Sequence, residues 1–183
     1  FSVGLNGVGL KAVNALSASF VVKAVRSGRF KEAEFADGVL LKERDGKSDE
    51  PDGTFVSFRP AAQHFPNYRF DEKFLRRRMA NYAYLNSGLT LVLNGEKFIS
   101  RNGLLDLLNE KLGGGGEEQI YEPIYHRGPK LEFVLCHTNS FSESYYSFVN
   151  GQYTNDGGTH QSAFREGILK GVNEFFGKNH EGD

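Results

Sequence analysis

The chain has 183 residues, 39% of them hydrophobic and 25% charged, with a formal net charge of -1. That balance suits one globular domain or two small ones and excludes a disordered chain, and near-neutrality argues against a strongly basic nucleic-acid surface. A single cysteine, Cys136, excludes a disulfide framework and a cysteine zinc site; with no apolar run of membrane-spanning length and no secretory signal at its start, the chain is expected in the reducing cytoplasm, with no membrane partner.

The first motif is a glycine-rich loop, Gly4-Leu5-Asn6-Gly7-Val8-Gly9, running into an apolar-periodic stretch, Val8 to Leu16, that suits a buried helix. Glycines allow a tight turn and a close backbone approach to a ligand, and a helix N-terminus offers free N–H groups to an anion. The loop is not a P-loop, because no Lys-Ser/Thr follows its last glycine, and it is a poor dinucleotide fingerprint. A β-branched strand from Phe20 to Arg26 comes next, then Ser27-Gly28 and a strand from Arg29 to Phe35. Asp37-Gly38 is a hairpin signal before Val39-Leu40-Leu41, the polar run Glu43 to Asp52 reads as a loop, and Gly53 to Phe58 as a fourth strand ended by Pro60. These strands are expected to form a meander.

Asp71 is a plausible N-cap for a helix from Glu72 to Leu85, with Phe74, Leu75, Met79, Tyr82 and Leu85 on its inner face. Arg76-Arg77-Arg78 fan out around this helix and read as a solvated, salt-bridging face before they read as a nucleic-acid contact. Asn86-Ser87-Gly88 closes the helix; a strand to Leu93, the turn Asn94-Gly95 and a helix over Leu104 to Leu112 follow. The run Gly113 to Gly116 is either a domain linker or a long loop within one domain. Beyond it come strands over Ile120–Tyr125, Leu131–Cys136 and Tyr145–Val149, then a helix from His160 to Phe176 with Phe164, Ile168, Val172, Phe175 and Phe176 on one side. Asn155-Asp156-Gly157-Gly158-Thr159-His160 precedes that helix, with Thr159 or Asp156 as its cap. The five histidines do not converge at metal-ligand spacing, and no nucleophile-elbow motif occurs.

Taken together, these motifs resemble one family, the GHKL ATPases, in the version carried by the B subunits of bacterial type IIA topoisomerases. Gly4 to Gly9 with Ala12-Val13-Asn14-Ala15-Leu16-Ser17 looks like its second glycine box, and Gly53-Thr54-Phe55-Val56 resembles its G-T-x-V segment near the adenine. Leu85-Asn86-Ser87-Gly88 matches a further family segment; Val149-Asn150, Asp156 to His160 and Phe164-Arg165 look like the start of its transducer domain. The resemblance covers essentially the whole chain, in order. Many gyrase B subunits have histidine in place of Asn6, and the wording around it looks more like the topoisomerase IV version.

The resemblance implies an α+β fold. Residues 1–112 would be the C-terminal part of a GHKL (Bergerat-type) α/β sandwich ATPase domain, 113–117 a glycine linker, and 118–183 the N-terminal part of the α/β transducer domain. It implies ATP and Mg²⁺ as ligands, with Gly4, Leu5, Asn6, Gly7, Val8, Gly9 and Thr54 binding ATP and Arg26 at the pocket rim. The family's general-base Glu, Mg²⁺-holding Asn and adenine-reading Asp would lie upstream of Phe1, and its γ-phosphate lysine after Asp183. No catalytic or metal residue is therefore assigned within the chain, which alone is expected not to hydrolyse ATP. The implied partners are double-stranded DNA, a second copy of the same B-type polypeptide in an ATP-gated homodimer, and the A-type breakage-reunion subunit. Another GHKL machine, a heat-shock chaperone or a MutL-type mismatch-repair protein, is the alternative. Chaperones share the glycine loop, but the Asp156 to His160 motif favours the topoisomerase. A non-catalytic binding module whose loop is only a turn is the third reading.

Overall fold

A computed structural model describes residues 8–114 and 118–180. They fall into two compact units, one ending at Asp71 and one starting at Glu72. In the first, α1 (Gly9–Ala15) leads directly into β1 (Ser17–Arg26); the burial expected of this helix is not found, since none of its residues is buried among the described residues. The Ser17 hydroxyl donates to the Val13 carbonyl at 2.5 Å and the Leu16 N–H to Ala12 at 3.1 Å, closing the last turn. Next come β2 (Arg29–Ala36), β3 (Val39–Lys47) and β4 (Gly53–Pro60), all antiparallel to their neighbours in the order β3-β2-β1-β4.

Two hairpins use paired left-handed residues, Ser27 (φ 51°) with Gly28 (φ 74°) and Asp37 (φ 48°) with Gly38 (φ 80°), the geometry that matches strand twist. A Cβ on Gly38 would lie 3.3 Å from Ala15 Cα, so α1 also sets the glycine there. The expected meander holds only for three strands. β4 returns to the free edge of β1, with Phe58 opposite Phe20 and Thr54 opposite Ala24. The reason lies in β1, whose aromatic and β-branched residues suit a central strand; Phe20 and Val25 are buried there, and Phe20 meets Phe35 edge-on at 6.1 Å.

β3 is also longer than its composition predicts, since Glu43 to Lys47 extends the strand. Charge complementarity across the sheet carries this extension: Arg44 pairs with Glu32, Lys31 with Glu43 at 2.5 Å, and Arg29 with Asp45 at 3.9 Å. Such charges are usual on an edge strand, where they discourage further pairing.

The second unit is built from short pieces. α2 (Glu72–Leu85) packs on α3 (Leu104–Gly113) and on the hairpin of β5 (Leu91–Leu93) and β6 (Glu96–Phe98), whose turn is Asn94 (φ 50°) and Gly95 (φ 86°). Beyond the glycine run lie a hairpin of β7 (Ile124–Arg127) and β8 (Glu132–Leu135), a tighter one of β9 (Phe148–Val149) and β10 (Gln152–Tyr153), and α4 (Thr159–His180). α3 packs on β8, so contacts span the glycine run.

Among the described residues of this unit Ala83 and Leu107 are the buried apolar ones, while Leu75, Met79, Tyr82 and Leu85 are half-buried. Phe74, expected on the inner face of α2, is 45% exposed. On α4, Phe164 packs against Phe133 at 5.0 Å, whereas Ile168 and Val172 are exposed. The strand expected from Ile120 starts at Ile124; before it only a bridge joins Gln119 to Thr138.

Polar groups do much of the fastening in this second unit. Buried Ser100 donates to Asp106 at 2.7 Å, the Arg101 and Asn102 N–H groups donate to the same carboxylate, and the Gly103 N–H donates back to Ser100. The Ser100 hydroxyl above all holds the Asp106 carboxyl below its ordinary range. Across α2 and α3 the Tyr84 hydroxyl donates to Glu110. Burial, then that carboxylate, pushes the Tyr84 phenol up to about 12.

Candidate functional site

Gly4, Leu5, Asn6 and Gly7 lie outside the described residues. Val8 and Gly9 stand at the start of α1: Val8 (φ -88°, ψ -15°) accepts the Ala12 N–H at 2.9 Å, with no side-chain cap and no acidic residue in the first turn. Helix-start N–H groups such as that of Gly9 have no intrahelical partner and carry partial positive charge. Nothing lies within 4 Å of a Cβ built on Gly9. The glycine there is not required by packing among the described residues.

The sheet brings Thr54 and Arg26 to one side. Thr54 sits opposite Ala24, and Ala24 and Arg26 are two residues apart on β1, so all three belong to the same face. Arg26 is one pleat further, roughly 7 Å along the strand. The loop before β4 is tied to this end of β1: the Ser27 N–H donates to Asp52 at 2.8 Å, the Ser48 N–H to Gly28 at 3.0 Å, and Lys23 pairs with Glu50 at 2.5 Å. Gly53-Thr54 is thereby held in register.

Among the described residues neither the Thr54 hydroxyl nor the Arg26 guanidinium has a hydrogen-bond partner, and both residues are exposed. Arg26 lies directly opposite Arg29. Like charges in that position oppose strand pairing, and an anion bound beside them would relieve the repulsion. Lys23 and Arg29 at this end of the sheet are paired with Glu50 and Asp45, so it is the exposed Thr54 hydroxyl and the unpaired Arg26 guanidinium that can together bind an anionic ligand offering hydrogen-bonding groups.

The Asn155 to His160 motif forms a separate cluster. Thr154 donates its one hydroxyl proton to the Ser147 carbonyl at 2.9 Å. Its oxygen also lies within hydrogen-bond distance of the Ser147 hydroxyl at 2.5 Å and of His160 Nε2 at 3.1 Å. Gly157 (φ 71°) and Gly158 (φ 146°) are left-handed, and a Cβ on Gly158 would stand 2.9 Å from the His160 ring. This motif joins the β9–β10 hairpin to the first turn of α4, a tie that the capping pattern alone did not reveal.

The arginine run divides. Arg76 pairs with Glu72 and Glu96, whereas Arg77 and Arg78 lie over the Phe74 ring. Among the described residues no group of three or more His, Cys, Asp or Glu is placed to hold a metal ion. Two features had no sequence signal. The Asn14 side-chain carbonyl oxygen is buried without a hydrogen-bond partner among the described residues. A cleft of about 360 Å³ is lined by Leu85, Asn86, Ser87, Leu89, Arg127 and Glu132. Both depend on packing between segments distant in sequence.

The chain as a whole is similar to known proteins. A family model described as DNA gyrase B matches residues 99–182. The B subunit of DNA topoisomerase 4 from Borreliella burgdorferi is 50% identical over 178 residues, covering 97% of this chain and 29% of that protein. The B subunit of DNA gyrase from Thermus thermophilus is 32% identical over 188 residues, covering 95% of this chain and 29% of that protein. Among solved structures, the 43K ATPase domain of Thermus thermophilus gyrase B, in complex with an aminocoumarin, superposes with a TM-score of 0.78 at 30% identity, over 97% of this chain and 52% of that one. The topoisomerase IV ATP-binding domain of Francisella tularensis gives 0.74 at 26% identity, over 98% of this chain and 52% of that one. The chain thus spans under a third of the curated relatives and about half of the solved domains it matches.

Proposed function

Because this chain belongs to the family of type II DNA topoisomerase B subunits, those of gyrase and topoisomerase IV, we propose that it supplies the downstream part of an ATP site. In this reading the backbone N–H groups of Gly4 to Gly9 hold the triphosphate at the start of α1, Thr54 joins the hydrogen bonds that read the adenine, and Arg26 stands at the rim. The observation that carries it is the β1–β4 register, which puts Thr54 and Arg26 on one face with unpaired side chains. The general base and the Mg²⁺ ligand are assigned to sequence outside these 183 residues, consistent with the share of each relative that the chain spans.

The wider function follows as part of the same proposal. Two such subunits close on ATP as a homodimeric gate over double-stranded DNA, beside the A-type breakage-reunion subunit, in the cytoplasm. The 50% identity to a topoisomerase IV relative, against 31–33% for several gyrase relatives, favours the topoisomerase IV form. The glycine run is proposed to mark the passage from ATPase to transducer domain.

The test is binding of a fluorescent, non-hydrolysable ATP analogue to the full-length protein that carries this chain. Thr54→Val and Arg26→Ala are each expected to weaken binding about tenfold, on the order of one hydrogen bond or charge contact. Unchanged affinity in both would overturn the assignment. The isolated 183-residue chain is expected to show no ATP turnover above background.

A further inference from the structure

We propose that Asn94, in the β5–β6 turn, is a site of covalent self-modification, converting to aspartate or isoaspartate with loss of ammonia. The chemistry needs an Asn-Gly pair whose groups are free to react. The Gly N–H gives up its proton and the nitrogen attacks the Asn Cγ. A new C–N bond forms, the side-chain amide leaves as ammonia, and a five-membered imide remains. Water then opens the imide at either carbonyl, giving aspartate or a chain lengthened by one backbone carbon. In sum, one amide and one water become one carboxyl group and one ammonia, with nothing oxidised or reduced. Glycine favours the attack because no Cβ crowds its nitrogen. This chemistry does not depend on the nucleotide reading.

The sequence holds four such pairs: Asn6-Gly7, which lies outside the described residues, Asn94-Gly95, Asn102-Gly103 and Asn150-Gly151. The fold sorts the last three. At Asn102 both reacting groups are held. Its side-chain Nδ2 donates to Asp106 at 3.0 Å, and the N–H of buried Gly103 donates to the Ser100 hydroxyl at 2.9 Å. Attack there requires both bonds to break and the Asp106 hub to open. At Asn94 neither group is held: among the described residues the Asn94 side chain and the Gly95 N–H have no hydrogen-bond partner, and both residues are exposed. Nothing lies within 4 Å of a Cβ built on Gly95, so the imide ring has room.

The left-handed turn at Asn94 (φ 50°) and Gly95 (φ 86°) must relax before the ring closes. That relaxation is local, since β5 and β6 contribute 3 residues each, and so short a hairpin opens at little cost. Asn150-Gly151 repeats the turn (φ 50° and 80°), but Gly151 is half-buried and the Thr154 N–H closes its hairpin on the Ser147 carbonyl at 2.9 Å. Asn94 therefore reacts first. The product carries a new carboxylate two residues before Glu96, the partner of Arg76 on α2. Isoaspartate also adds a backbone atom to a turn whose flanking residues, Leu93 and Glu96, pair directly. Conversion thus loosens β6 from α2.

The test is incubation of the full-length protein that carries this chain in mildly alkaline heavy-oxygen water, followed by acid digestion and mass spectrometry of the peptides. Each carboxyl formed during incubation carries the heavy oxygen, and chromatography separates aspartate from isoaspartate. In the folded protein Asn94 is expected to convert at least about tenfold faster than Asn102, whose two hydrogen bonds must first break. In urea, where the fold no longer sorts them, the two rates are expected to agree within about threefold. A folded-state rate at Asn94 no higher than at Asn102, or lower than at Asn150, would overturn the proposal. So would a tenfold gap that survives urea, since it would trace to sequence and not to the fold. Asn94→Gly keeps a residue suited to the left-handed turn and removes the reacting amide. After equal incubation, wild type should show faster amide exchange in β6 than this variant; equal exchange would overturn the loosening of β6.

Discussion

The sheet of β1 to β4 and the hairpins that follow Glu72 reach order by different routes. In the sheet, strands far apart in sequence pair along their length, and Phe20 and Val25 are buried on its two opposite faces. After Glu72 each hairpin closes on itself, little apolar surface is buried, and side-chain hydrogen bonds do the fastening: Ser100 to Asp106, Tyr84 to Glu110, Thr154 to Ser147. Apolar burial is non-directional and tolerates imprecision, whereas a hydrogen-bonded hub fails when one partner is removed. The first unit should therefore be most sensitive to lost volume and the second to lost geometry or protonation.

The largest effect should come from Phe20→Ala, which empties the best-buried aromatic position and is expected to cost about 3–5 kcal/mol in urea unfolding. A cost below that of any substitution after Glu72 would invert the comparison. Gly103→Ala comes next. Gly103 is left-handed (φ 61°), and an added Cβ would stand 2.7 Å from the Ser87 hydroxyl and 3.1 Å from the Tyr84 carbonyl oxygen. About 1–3 kcal/mol should be lost, with α2 and α3 showing the larger rise in amide exchange.

Thr154→Val removes the hydroxyl shared by Ser147 and His160 while keeping the shape. It should cost about 1 kcal/mol and speed amide exchange at the start of α4. Undisturbed exchange there would mean that the hub is not what holds the helix start.

The smallest effects lie in pH dependence, and their signs differ. Asp106 is depressed in the folded state, so its contribution is present above the ordinary aspartate value of about 3.9 and is lost as pH falls through the lower folded value. Asp106→Asn should flatten the acid limb of the stability curve. Tyr84 is raised to about 12, so its contribution is complete below about pH 10 and lost as pH rises toward 12. Absorbance titration of wild type against Tyr84→Phe should reveal one late-ionising phenol; its absence would remove the Tyr84–Glu110 tie from the comparison.

Local signals were legible wherever one residue dictates its own backbone. Ser27-Gly28, Asp37-Gly38 and Asn94-Gly95 all form left-handed turns, and the helix beginning at Glu72 ends at Leu85 before Asn86 as its apolar spacing indicates. The family was legible too, because motifs in register at Gly4 to Gly9, Gly53-Thr54 and Asp156 to His160 are jointly specific where each alone is not. What misled the reading was polarity: Glu43 to Lys47 looked like a loop, since charges that pair across strands cannot be told from solvated ones without the partner strand.

Chain order and spacing by themselves determined most helices and the tight turns, because these depend on residues within a few positions of one another. Only the tertiary structure decided that β4 lies against β1, which puts Thr54 and Arg26 on one face, and that Arg76 is spent on Glu72 and Glu96 while Arg77 and Arg78 rest on Phe74. Strand order and charge pairing are settled by competition among distant segments for the same edge or the same counter-charge. That competition has no local signature, so a run of three identical arginines reads as uniform until its neighbours are in place.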